Sequence, residues 1–136
     1  SSVVAQSNPE SDSDKLSELE KLPGLADETT PLKTNIDEVL IQKHLVAAEK
    51  AYKAGHFTTP SRDNAYKYYQ IVLTMEPSNA EARAGLQKIV DRYIQFIEKA
   101  KTEGKLNMIR LYLQRAESVL PDDPKLQNIR KELAAQ

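Results

Sequence analysis

The 136-residue chain has no cysteine, two histidines and four glycines. Without cysteine there are no disulfides, no thiolate metal sites and no thiol nucleophiles, and a reducing cytosol and a periplasm remain equally suitable. His44 and His56 are the only histidines, and neither has a His-x3-His or Glu-x2-His partner with which to build a metal site. The isolated glycines form neither a phosphate-cradling loop nor a Gly-x-Ser-x-Gly nucleophile elbow. Apolar runs fall far short of the roughly 20 residues needed to cross a bilayer, and the opening residues show no basic-then-apolar leader pattern. The net charge of −1 gives no global field toward nucleic acid or an anionic membrane. The expectation is therefore a non-catalytic protein with no cofactor, no metal, no nucleic-acid partner and no direct membrane insertion.

What charge there is lies unevenly. Residues 1–33 carry seven acids against three lysines, together with six serines and three prolines, whereas 34–136 carry sixteen bases against thirteen acids. The apolar side chains of 1–33 are too scattered for their burial to offset the entropy of ordering, so this stretch is expected to be a disordered acidic linker. Within it, Asp14–Lys21 has a narrow edge of Leu16 and Leu19 suited to a transient helical turn. The Ser-Ser start reads as that of a processed chain or a segment of a longer, possibly membrane-anchored protein. Residues 34–136 are the expected folded domain.

Ala65, Tyr68, Tyr69, Val72 and Leu73 follow the i, i+3, i+4, i+7, i+8 rhythm of a helix face, and Ile71 and Met75 add a second stripe. A helix apolar on two sides must be packed on two sides. It stops at Pro77, and Asn79 is placed to cap a new helix from Ala80. Upstream, Asn35 with Glu38 has capping-box spacing and opens a helix over Ile36–Ala54 that Gly55 closes. The loop from His56 brings Phe57 under the helices, offers Asp63 as a hydrogen-bond partner for His56, and leads through a Ser61 cap to a helix at about Arg62–Met75. From Ala80 to Glu103 a long helix repeats apolar residues at three and four, interrupted only by Gly85, which costs about 1 kcal/mol in a helix interior. Gly104 ends it. Asn107 is expected to cap the next helix, with Ile109, Leu113, Ala116 and Val119 on its dry face. Asp123 and Pro124 then start a terminal helix over Lys125–Ala135, which is apolar at Leu126, Ile129 and Leu133 and so suited to capping a stack.

The spacing repeats internally: Ala65-x3-Tyr69 leads to Pro77 as Ile109-x3-Leu113 leads to Pro121. With the trailing Pro77-Ser78-Asn79-Ala80-Glu81-Ala82, this resembles the tetratricopeptide repeat (TPR) family, whose second helix carries Ala-x3-Phe and then Pro. The family's first-helix positions fall on His44, Ala47, Ala48 and Ala51, then on Tyr93, Phe96, Ile97 and Ala100. The prolines at 77 and 121 stand 44 residues apart where the family repeats about every 34, and Thr58–Asn64 widens a loop. The resemblance is thus to a divergent pair of repeats over about Ile36–Leu120, of the kind found as accessory domains in bacterial proteins. It implies an all-α fold of antiparallel helix-turn-helix repeats, about five helices in all. It favours the bacterial periplasm or envelope over the cytoplasm.

The resemblance further implies a concave face lined by the first helix of each repeat, here Gln42, Glu49, Tyr52 and Lys53, then Asp91, Ile94, Glu98 and Lys101. A groove of mixed charge around Tyr52 and Ile94 would take an extended peptide or a partner helix. The positions at which chaperone-adaptor members grip a C-terminal carboxylate hold Leu45 and Glu49, then Ile94 and Glu98, and an acid there repels such a tail. Tyr66, Tyr68 and Tyr69 beside Lys67 suggest a base-stacking platform, but Tyr68 and Tyr69 lie on the buried stripe and read as core residues. Lys99, Lys105, Arg110 and Arg115 read as a solvated face among Glu98, Glu103 and Glu117. The expected function is a monomeric protein-interaction module, with dimerisation through the long helix 80–103 as the alternative.

Overall fold

The computed structural model describes residues 35–136. The linker expected over 1–33 lies outside the described residues. Five helices, and among the described residues no strand, follow in order: α1 (Asn35–Lys53), α2 (Ala65–Met75), α3 (Ala80–Thr102), α4 (Leu106–Val119) and α5 (Pro124–Ala134). The all-α class read from the apolar rhythm is thus the observed one.

Local chemistry fixes most of the boundaries. α2 starts three residues later than expected, because its cap is Asn64 and not Ser61. The Asn64 carboxamide oxygen accepts the Lys67 N–H at 2.8 Å and its amide donates to the Pro60 carbonyl at 2.7 Å, and the residue is only 3% exposed. Asn79 caps α3 as expected, accepting from the Ala82 N–H at 2.8 Å. Asp123 caps α5, accepting from Lys125 and Leu126, with Pro124 in the first turn. The expected cap at Asn107 is not observed: the turn at Gly104 leaves only three residues, Glu103, Gly104 and Lys105, between α3 and α4, and the helix begins before Asn107 is reached.

The two joints repeat bond for bond. Gly55 and Gly104 both have positive φ, 83° and 69°, and each precedes a residue whose N–H reaches back five positions, His56 to Ala51 and Lys105 to Ala100, both at 2.9 Å. Only glycine adopts this left-handed turn without strain. The proline joints match as well: Asn79 N–H donates to the Glu76 carbonyl, and Asp123 N–H to that of Leu120.

One core runs through the compact unit Asp37–Gln136. α3 supplies its spine, with Ala82, Gly85, Leu86, Ile89, Val90, Tyr93, Ile97 and Ala100 all buried, and it packs most closely on α4 and next on α2. Complete burial of an Ile, Leu or Val side chain contributes about 1.5–3 kcal/mol, so Ile89, Ile97, Leu113, Leu126, Val72 and Val90 anchor the fold. The apolar stripe of helix 80–103, offered above for self-pairing, is consumed inside the chain.

Candidate functional site

The loop that follows Gly55 places Phe57 at the centre of an aromatic cluster. Backbone bonds from Ala65 N–H to the His56 carbonyl and from Tyr66 N–H to the Phe57 carbonyl fasten the loop to the start of α2, and the Thr58 hydroxyl bonds the Tyr93 hydroxyl. Phe57 then meets Tyr52 edge-on at 5.0 Å between ring centroids, Tyr93 at 5.8 Å and Phe96 at 5.9 Å. Phe96 continues the series to Tyr112 on α4 at 5.3 Å. The cluster therefore links the end of α1, the loop, α3 and the middle of α4.

Two hollows open on this cluster. The larger, about 520 Å³, is lined by Tyr52, Lys53, Gly55, Phe57, Lys88, Asp91, Arg92 and Gln95. The smaller, about 290 Å³, is lined by Phe96, Lys99, Ala100, Glu103, Lys105, Met108 and Tyr112. Lys88 Nζ lies 4.5 Å from the Tyr52 ring centroid, and the Arg92 guanidinium carbon 5.0 Å from that of Phe96, both within cation–π range.

The eight residues expected to share a groove are divided by the structure. Tyr52, Lys53 and Asp91 line the larger hollow. Glu49 is exposed and paired with Lys53 at 3.5 Å, and Gln42 is exposed farther up α1. On α3 the face holding Asp91, Ile94, Glu98 and Lys101 runs beside the terminal helix: Lys125 of α5 contacts Asp91 at 2.8 Å and Glu132 of α5 contacts Lys101 at 3.5 Å. Ile94, between them, is half-buried against the core, and Glu98 is exposed. The edge of α3 that opens on the hollows is instead Lys88, Arg92, Gln95, Phe96 and Lys99. The sequence did carry its signal, since cations at 88, 92 and 99 fall on one helical stripe.

Asp91 has the most structured electrostatics in the hollow. Partial burial pushes its carboxyl upward, but hydrogen bonds from Lys125 and Gln87, with the charge of Lys125, outweigh this and hold it below its ordinary value. Lys125 is raised in turn, chiefly by its bond to Asp91. The histidines lie apart from this arrangement. His44 Nδ1 is 2.8 Å from the Leu40 carbonyl of its own helix. The predicted bond from His56 to Asp63 is not made; the Tyr68 hydroxyl, brought round by the first turn of α2, donates to Asp63 at 2.8 Å and is raised above its ordinary value foremost by that bond.

The fold and its hollows define an all-α, five-helix domain with an aromatic and cationic edge. Comparison with protein-family models, with curated proteins and with solved structures finds no match to this chain. No helix among the described residues is long and apolar enough to cross a membrane.

Proposed function

We propose that the chain is a non-catalytic protein-interaction module, a divergent TPR-like domain that receives a partner peptide or helix in the hollow between the end of α1 and α3. The observation that carries this reading is the larger hollow itself, where the half-buried Tyr52 is backed by Phe57 and rimmed by Lys53, Lys88, Asp91 and Arg92. Aromatic and arginine side chains in a semi-enclosed, charge-rimmed recess are the usual anchors of protein recognition. The TPR-like element of the proposal is supported by the joints at Pro77 and Pro121, whose hydrogen bonds, Asn79 to Glu76 and Asp123 to Leu120, repeat at a 44-residue interval.

The test is affinity capture on the immobilised chain, with captured proteins identified by mass spectrometry. Tyr52→Ala is expected to lose a specific captured protein while keeping its helical circular dichroism. Undiminished capture by this folded variant sinks the proposal.

A second reading, self-association, draws on α1. Ile36, Val39 and Val46 are 70%, 65% and 64% exposed, so an apolar strip is left open on this helix. Sedimentation as a monomer at high concentration removes that reading.

A further inference from the structure

The two hollows belong to one band. Positions 88, 92, 96, 99 and 103 lie within one stripe of α3, the Phe57–Phe96 contact at 5.9 Å bridges the hollows, and Phe96 belongs to the lining of the second. Along this band five cations (Lys53, Lys88, Arg92, Lys99, Lys105) face two carboxylates, Asp91 and Glu103. Both carboxylates are already engaged, Asp91 by Lys125 at 2.8 Å and Glu103 by Lys105 at 3.2 Å. Among the described residues no carboxylate pairs with Lys88, Arg92 or Lys99. A locally positive, aromatic-floored band therefore stands on a chain whose net charge is −1.

We infer that the partner segment is acidic: a peptide carrying an apolar anchor, aromatic or long aliphatic, flanked by Asp or Glu. This rests on the interaction reading above and adds the chemistry of the partner. The apolar anchor enters a hollow against Tyr52 and Phe57 or against Phe96, Met108 and Tyr112. The carboxylates meet Lys88, Arg92 and Lys99. Lys88 and Arg92 are already held over aromatic rings, so less side-chain freedom is lost when they engage an anion. The same placement disfavours nucleic acid, because bases need open ring faces on which to stack, and here Lys88 and Arg92 lie over those of Tyr52 and Phe96.

The experiment is selection of a random nonapeptide library, with a fixed central Phe, on the immobilised full chain and on its Lys88→Glu/Lys99→Glu variant. Both replaced residues are exposed, and circular dichroism checks that the variant is folded. Peptides enriched on the parent chain are expected to carry an excess of Asp and Glu. By fluorescence anisotropy they are expected to bind the variant at least about tenfold more weakly, and the parent several-fold more weakly when ionic strength rises from about 0.05 to 0.3 M. Enrichment of neutral or basic peptides whose binding is lost with Tyr52→Ala overturns the acidic partner but leaves the interaction module standing. No enrichment at all sinks both. Single-stranded oligonucleotide that displaces the selected peptides and binds more tightly overturns the peptide assignment in favour of nucleic acid.

Discussion

Tyr69 and Gly85 fit each other as ring and recess, and a single methyl on Gly85 would overlap the Tyr69 ring carbons. Intrinsic propensity rates Gly→Ala in a helix interior as a gain of about 1 kcal/mol, while overpacking a filled core costs about 1–3 kcal/mol. Gly85→Ala is expected to be destabilising by urea denaturation, and Gly85→Ala/Tyr69→Leu to be less unstable than the two single effects summed, because the smaller side chain relieves the overlap. A stabilised Gly85→Ala would place the ring elsewhere. Asn64 gives a second test at this scale. Its carboxamide closes both the loop and the helix start, so Asn64→Ala is expected to cost about 1–2 kcal/mol, whereas Ser61→Ala, at an exposed position, should stay within about 0.5 kcal/mol. Equal effects would restore Ser61 as the cap. Both residues show where reading the chain alone stops. Periodicity marks Gly85 as an interruption without revealing the ring that requires it, and Ser61 and Asn64 are both good caps until the Pro60 carbonyl selects one.

Element by element, the apolar rhythm located all five helices, and the joints at Pro77 and Pro121 lie where spacing placed them. The groove face of α3 was less legible. Periodicity separates a helix's dry stripe from its wet side, but two edges flank every dry stripe and only tertiary packing decides which neighbour covers each. On α3 the edge through Asp91 and Lys101 is tied to α5 by two exposed ion pairs, and the edge through Lys88, Arg92 and Lys99 carries no such tie. The Asp91–Lys125 pair on the tied edge gives a pH prediction. Asp91 titrates below its ordinary value of 3.8 in the folded chain, so its contribution to stability is present above pH 3.8 and is lost as pH falls through the lower, folded value. Wild type is therefore expected to exceed Asp91→Asn in stability at pH 7, by the modest amount expected of an exposed pair, with the gap closing as pH falls below 3.8 and through the lower folded value. A gap that persists unchanged in acid would show that the pair contributes nothing through ionisation. At the alkaline end Lys125, raised above 10.5, keeps its contribution up to that value and loses it only beyond.

For the folded unit as a whole, the issue is whether the terminal helix is a detachable lid or part of the core that shapes the hollows. α5 buries one apolar side chain completely, Leu126. Ile129 and Leu133 pack half-buried against the core, and its remaining ties are polar: the Asp123 cap bonded to Gln87 at 2.9 Å, the two-pronged Arg130–Glu117 contact and the Asp91 and Lys101 pairs. Leu126 nevertheless belongs to the same continuous cluster as Ile41 of α1, at the other end of the described residues. If that continuity governs unfolding, Leu126→Ala and Ile41→Ala should each cost about 2–4 kcal/mol and should move one shared transition, seen alike by circular dichroism and by tyrosine fluorescence. A lid would behave otherwise: Leu126→Ala would melt α5 early, in a separate step, and leave the main transition where it was. The distinction bears on recognition, because Lys125 of α5 holds the Asp91 carboxylate at the rim of the larger hollow. With α5 in place that carboxylate is neutralised by an internal partner. With α5 released, it would confront an acidic ligand directly, so binding of acidic peptides is expected to weaken in Leu126→Ala if, and only if, the variant shows the separate early step.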